Sequence, residues 1–138
     1  MPNEIVIDQP PFQLLQVDYE KIAPFKHLAA KERVSLAETR NTLWFHVLHE
    51  QEFTGVCGIY LTKLKCRLKA AWILPQARGL GCGGFMTHAR LQVAKDIGYS
   101  NFEAFTVNPE YYEHTLGFNI IKEMHKGVFL AVKSEKGE

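Results

Sequence analysis

Four glycines fall within six residues, Gly79, Gly81, Gly83 and Gly84, directly behind Arg78 and an apolar run that ends at Leu74. Glycine lets a backbone approach a ligand closely and adopt positive φ. Where a strand turns through such residues into a helix, successive N–H groups converge on one point. The helix dipole adds partial positive charge there, so the turn suits an anion, a phosphate above all. Cys82 lies inside the turn, and a thiol at a helix start can be a nucleophile. A small buried packing residue is the better reading of that position. Groups able to move protons are scattered elsewhere: His46 and His49, Glu103 and Glu110, Tyr111 and Tyr112. Neutral imidazole is a competent base near neutral pH. The three cysteines, Cys57, Cys66 and Cys82, lack metal-ligand spacing, and no metal site is expected.

These groups need a scaffold, and the pattern of the chain suggests one. Residues 12–17 read as a first strand after a short arm closed by Pro10-Pro11. Asp18 could cap a helix that Pro24 shortens, and residues 29–40 read as a weaker helix or a loop. From 42 to 49, Leu43, Phe45 and Val47 alternate with Trp44, His46 and Leu48, which marks a strand. Glu50-Gln51 turns into a second strand over 53–61, and 65–74 is the strand that feeds the glycines. Behind them Phe85, Met86, Ala89, Val93 and Ile97 recur at helical spacing, stopped by Gly98. A strand over 102–107, a short helix over 110–116 opened by Pro109, and a hairpin around Lys126-Gly127 complete the chain. Lys63, Lys65, Arg67 and Lys69 alternate, either as a solvated edge or as a cationic face for an acidic substrate or a phosphate.

Length and composition set the bounds. One domain, 1–138, is large enough for a core but not for two. A net charge of +1 argues against a strongly basic nucleic-acid-binding protein. No apolar run approaches a membrane span, the first residues lack a basic signal-peptide region, and an odd number of cysteines suits a reducing compartment. The expectation is a cytoplasmic protein.

The glycines admit two motifs. Gly79 to Gly84 fits the dinucleotide fingerprint G-x-G-x-x-G. Its context does not: half the chain precedes the turn, one parallel crossover comes after it, and Glu103 falls at the start of its strand rather than the end. Arg78-Gly79-Leu80-Gly81-Cys82-Gly83, two residues behind Ile73-Leu74-Pro75, instead resembles the R/Q-x-x-G-x-G/A pyrophosphate loop of the GCN5-related N-acetyltransferase (GNAT) superfamily. The segment from Tyr111 to Gly117-Phe118 is similar to that family's Tyr-x-x-x-Gly-Phe, and the order of elements matches over nearly the whole chain.

That resemblance implies an α/β fold, a mixed and mostly antiparallel sheet with one parallel βαβ crossover and a splayed central strand pair. It implies acetyl-CoA as cosubstrate and acetyl transfer to a primary amine by direct attack. Arg78, Gly79, Leu80, Gly81, Cys82, Gly83 and Gly84 would surround the pyrophosphate. Trp72, Ile73 and Leu74 would border the thioester, with a main-chain N–H near Ile73 facing the acyl oxygen. Asn108 would contact the pantetheine arm. The family's proton donor falls on Glu113 by strict count, so Tyr112, one step back, is taken as general acid, with Tyr111 the alternative. Many relatives carry a basic Glu on the loop-feeding strand; residues 65–73 have none. A base would then come from His46, Glu110, Glu103 or His49. The missing carboxylate feeds a rival reading, a non-catalytic acyl-CoA-binding or partner-dependent module. Residues 18–40 are all that could wall an acceptor groove, which would be open or completed by a second subunit in a homodimer.

Overall fold

The computed structural model describes residues 5–135. The chain opens with a hairpin, β1 (Val6–Gln9) and β2 (Phe12–Val17). The expected arm before Pro10-Pro11 is thus a strand, with Val6 opposite Leu15 and Gln9 opposite Phe12. Ile5 and Ile7 turn toward the main core while Val6 and Asp8 stay exposed, an alternation too short to stand out in the sequence. Single turns at Tyr19–Lys21 and Ala23–Phe25 lead into a short α1 (Lys26–Ala30). Pro24 sits in the first positions of its turn, where its missing N–H costs nothing. Asp18 stands at a cap position, but its side chain caps no amide. Beyond Ala30 the chain is open loop, with Arg33 at φ 66°.

β3 (Thr42–His49), β4 (Glu52–Leu61) and β5 (Cys66–Ile73) form an antiparallel meander. The glycine turn comes next, then α2 (Cys82–Ile97), which crosses to β6 (Asn101–Thr106). A single π turn at Tyr111–Thr115 precedes the closing hairpin of β7 (Asn119–His125) and β8 (Val128–Ser134). All eight strands join one sheet in the order β1-β2-β3-β4-β5-β6-β8-β7. Only β5 and β6 run parallel among the described residues.

The alternation in β3 divides the core in two. Phe45 and Val47 join Leu14, Ile59, Met86, Phe102 and Phe118 under α2. Trp44 points through the other face and meets Ile22, Ala29, Leu36, Val56 and Trp72 beneath α1 and the turns before it. Ile97, at the end of the helical pattern, is exposed.

Two irregularities in β5 shape the centre of the sheet. Its parallel ladder with β6 holds only from Cys66–Phe102 to Leu68–Ala104; the strands then run on to Ile73 and Thr106 without pairing to each other, leaving a slot. Just past the last pair, β5 carries a bulge against β4: Gly58 faces Lys69, Cys57 faces Ala71, and Ala70 is the extra residue at φ 53°. A bulge bends its strand and re-aims the side chains beyond it. Here it sends Trp72 into the second cluster and Ile73 toward the first.

Candidate active site

The glycine turn lies at the open end of the slot. A short turn, Pro75–Ala77, leaves β5; Gly79 and Gly81 then take φ of 90° and 93°, a region that residues with a Cβ rarely adopt. A Cβ placed on Gly79 or Gly83 would meet nothing within 4 Å, and one on Gly81 would meet only the Phe12 ring, at 3.4 Å. The first amide bonded at the start of α2 is Phe85, to the Gly81 carbonyl at 3.2 Å. Amides 79 to 84 donate to no protein acceptor among the described residues, and no side chain caps α2. An uncapped N-terminus with clear space above it leaves its N–H groups free for an acceptor. Leu80 is exposed on its rim, and Cys82 is buried beneath it in the main core, a packing residue as read from the sequence.

Arg78 acts as a brace. Its Nε and Nη2 donate to the Ile73 carbonyl at 3.0 and 2.8 Å, and Nη2 also reaches Glu32 Oε1 at 2.6 Å. The guanidinium therefore ties the turn to β5 and to the loop after α1. Leu74 donates its N–H to Thr54 O, across β4, at 2.8 Å. Strand alternation then aims the Ile73 N–H and C=O the other way, into the slot. Arg78 occupies that carbonyl, so the Ile73 N–H is the polar group left for a ligand. Trp72 offers only backbone here, because its side chain is buried in the second cluster. Ala71, small and exposed, leaves room on the α2 face.

Beyond β6 the chain forms the opposite wall. Asn108 and Glu110 are exposed there. The Tyr111 hydroxyl lies 3.9 Å from a Cβ placed on Gly84, so it stands at the start of α2. Partial burial raises its pKa, and the neighbouring Tyr112 adds to this. Tyr112 packs edge-on against Phe118 and Tyr111, with centroids 5.2 and 5.9 Å away. Between Tyr112 and Gly117 the helix widens: Leu116 N–H donates to Tyr111 O, five residues back, at 3.3 Å. The residue in excess of Tyr-x-x-x-Gly-Phe is absorbed in that π turn, a feature frequent at functional sites.

The remaining proton-transfer candidates are each held by partners of their own. Glu103 is 4% exposed and bonded to Lys65 at 2.9 Å and to Arg67 at 2.5 Å. Burial alone would raise its pKa, but those two partners outweigh it and hold the carboxyl below its usual range, which makes a poor base. The alternating cations thus serve partly to anchor Glu103; Lys69 instead reaches Thr39 at 3.2 Å and lies over the rings of Trp44 and Tyr60. His49 packs against Phe12. His46 lies among Phe25 and Phe53, with Nε2 2.9 Å from Lys21 O. A carbonyl can only accept, so Nε2 carries the proton.

Burial lowers the His46 pKa, the Lys21 charge adds to this, and the carbonyl bond opposes it. Folding therefore favours neutral imidazole. The stabilisation is complete above the ordinary histidine pKa of about 6.5 and is lost as pH falls through the lower folded value. Urea unfolding at a series of pH values should show the native protein losing stability more steeply below about pH 6.5 than His46→Asn. Parallel curves would mean that His46 is not linked to folding.

All three cysteines are free and buried, and burial pushes Cys57 and Cys66 up to about 11. Among the described residues, no cluster of metal-ligating side chains occurs and no helix is long and apolar enough to cross a membrane. Three contributors escaped the sequence reading: Phe12 beneath Gly81, Glu32 on Arg78, and Arg90. Only Arg90 left a signal, a charge at the buried helical spacing of Met86 and Val93.

The fold is that of the GNAT acetyltransferases. Among solved structures, the chain is similar to the acetyl transferase of Salmonella typhimurium that modifies the N-terminal serine of ribosomal protein L7/L12; the TM-score is 0.72 at 10% identity, covering 96% of this chain and all 100% of that one. Naa50 of Arabidopsis thaliana, in complex with the bisubstrate analogue CoA-Ac-MVNAL, gives a TM-score of 0.70 at 13% identity over 91% of this chain and 99% of that one. N-acetylglutamate synthase of Neisseria gonorrhoeae, complexed with coenzyme A and N-acetyl-glutamate, gives 0.69 at 14% identity over 92% of this chain, which spans 36% of that protein. By sequence, no family model and no curated protein matches the chain.

Proposed function

We propose that this chain binds acetyl-CoA and transfers its acetyl group to a primary amine by direct attack. One observation carries the reading: the unbonded amides 79 to 84 lie at the mouth of a slot whose wall offers the Ile73 N–H. In this reading the cradle holds the pyrophosphate, with Leu80 and Cys82 supporting it and Arg78 bracing it. The thioester reaches along β5 past Leu74, where the Ile73 N–H polarises the carbonyl. Asn108 borders the pantetheine arm. Tyr112 protonates the departing thiolate. Glu110, exposed on the segment that carries Tyr112, is the better-placed base, acting directly or through water. His46 is the alternative and would have to work through Nδ1. The solved structures that hold CoA or a CoA conjugate on this fold support the choice of cosubstrate.

Calorimetry with acetyl-CoA, CoA, NAD and ATP tests the first step. Acetyl-CoA and CoA should bind, and NAD and ATP should not; binding of NAD without CoA would overturn the reading. An acceptor screen with small amines and peptides then separates an enzyme from a binding module. The expected location is the cytoplasm.

A further inference from the structure

Arg90 lies midway along α2 on its buried face, at 3% exposure. No carboxylate pairs with it among the described residues. Its bonds go to main-chain oxygens instead. Nη1 donates to Gly58 O at 3.1 Å and to Lys69 O at 3.2 Å, and Nε reaches Met86 O at 3.4 Å. Gly58 and Lys69 face each other at the point where the registers of β4 and β5 part, with Ala70 left over at φ 53°. A bulge disrupts the ladder locally, and a buried carbonyl without a donor is costly. One guanidinium nitrogen serves both carbonyls of the facing pair beside the bulge. Left-handed backbone is also unfavourable at any residue with a Cβ, so Ala70 holds its conformation only under constraint. The same bulge lies just past the last parallel pair, Leu68–Ala104, where β5 leaves β6.

We propose that Arg90 is a positioning residue: by bridging Gly58 O and Lys69 O it locks the bulge at Ala70, and the locked bulge keeps the slot between β5 and β6 open. The consequence for catalysis rests on the reading of that slot as the acyl site. Without Arg90, β5 can shed the bulge, straighten toward β6, and displace the Ile73 N–H from the carbonyl it would polarise. The glycine turn is tied to Ile73 O through Arg78 but also opens α2, which holds it in place, so the cradle shifts less than the acyl end of the slot.

Four variants test this: Arg90→Met, Arg90→Lys, Ala70→Gly, and Arg90→Met combined with Ala70→Gly. Glycine adopts positive φ freely, so it removes the need for the brace. In Arg90→Met, kcat for acetyl transfer should fall by roughly 10²-fold, the scale of a 1 Å misplacement, while CoA affinity stays near that of the parent. Arg90→Lys, which keeps a charged donor, should fall between the two. The double variant should regain most of the rate. Ala70→Gly should also raise Tm less in the Arg90→Met background, where β5 can shed the bulge and its strain, than in the parent, where the brace enforces both, a coupling that needs no turnover to be seen. If Arg90→Met does not fold, Arg90→Lys with and without Ala70→Gly carries the same comparison. Equal effects of Ala70→Gly on Tm in both backgrounds overturn the brace. Regained stability without regained rate overturns its link to the slot. Coupling in Tm with no acetyl transfer by the parent would leave the brace standing and remove the proposed reaction.

Discussion

Gly83→Leu should abolish CoA binding and leave the protein folded. Gly83 lies in the first turn of α2 and is not among the glycines at positive φ. A Cβ there meets nothing within 4 Å. Leucine is also a better helix former than glycine by up to about 1 kcal/mol, so Tm should hold or rise. The new side chain would enter the space above the free amides, which the proposed function gives to the pyrophosphate. Losing two charge-assisted hydrogen bonds, at about 1.5–3 kcal/mol each, would raise Kd by on the order of 10²-fold or more. Gly81→Val is a less clean probe. Gly81 has φ 93° and the Phe12 ring 3.4 Å from any Cβ, so its replacement disturbs the fold as well as the ligand. Calorimetry on Gly83→Leu, with Tm as the control, decides the matter: unchanged affinity in a folded variant would remove the turn from the site.

Much of this arrangement was legible in the residues because it depends on local rules. The glycines mark the turn by backbone freedom alone. The alternation over 42–49 determines which face of β3 each side chain takes, and Trp44 and Phe45 do part to opposite cores. What the sequence hid depends on contacts between distant segments. Nothing local says that Ala70 takes positive φ, because the cause is a register shift against β4 and an arginine from α2. For the same reason Trp72, read as a neighbour of the thioester, gives its side chain to the cluster under α1 instead. The resemblance puts Arg78 in the pyrophosphate loop, but nothing local shows that its guanidinium binds Ile73 O and Glu32, the latter from a loop that reads weakly as helix. Glu103 reads as a free carboxylate until its cross-strand partners Lys65 and Arg67 are in place. The short β1 went unread because four residues give too few alternations to distinguish a strand from an arm.

Tyr112→Phe should lower kcat by ~10²–10⁴-fold, the usual worth of general acid catalysis, with little change in CoA affinity. Direct attack by an amine ends with expulsion of the CoA thiolate, and a phenol within hydrogen-bond reach of the sulfur can protonate it on departure. Counting back from Gly117-Phe118 puts Glu113 in the donor's place, but that count assumes a regular α-helix. The Leu116 N–H to Tyr111 O bond shows a π turn instead, with one residue more per turn. Once that residue is absorbed, Tyr112 takes the position four before the glycine in a regular helix. Its edge-on contacts with Phe118 and Tyr111 fix the ring, and the Phe variant keeps both. Tyr111 is the internal control. Its hydroxyl stands over Gly84 at the start of α2, so Tyr111→Phe should act on CoA affinity and spare kcat. Steady-state kinetics on the two variants, with calorimetric Kd values beside them, separates the roles. A kcat loss in Tyr111→Phe rather than Tyr112→Phe would mean that the π turn does not reset the register. Unchanged kcat in both would leave the proton to water or to Glu113, and the slot would then work by positioning and carbonyl polarisation alone.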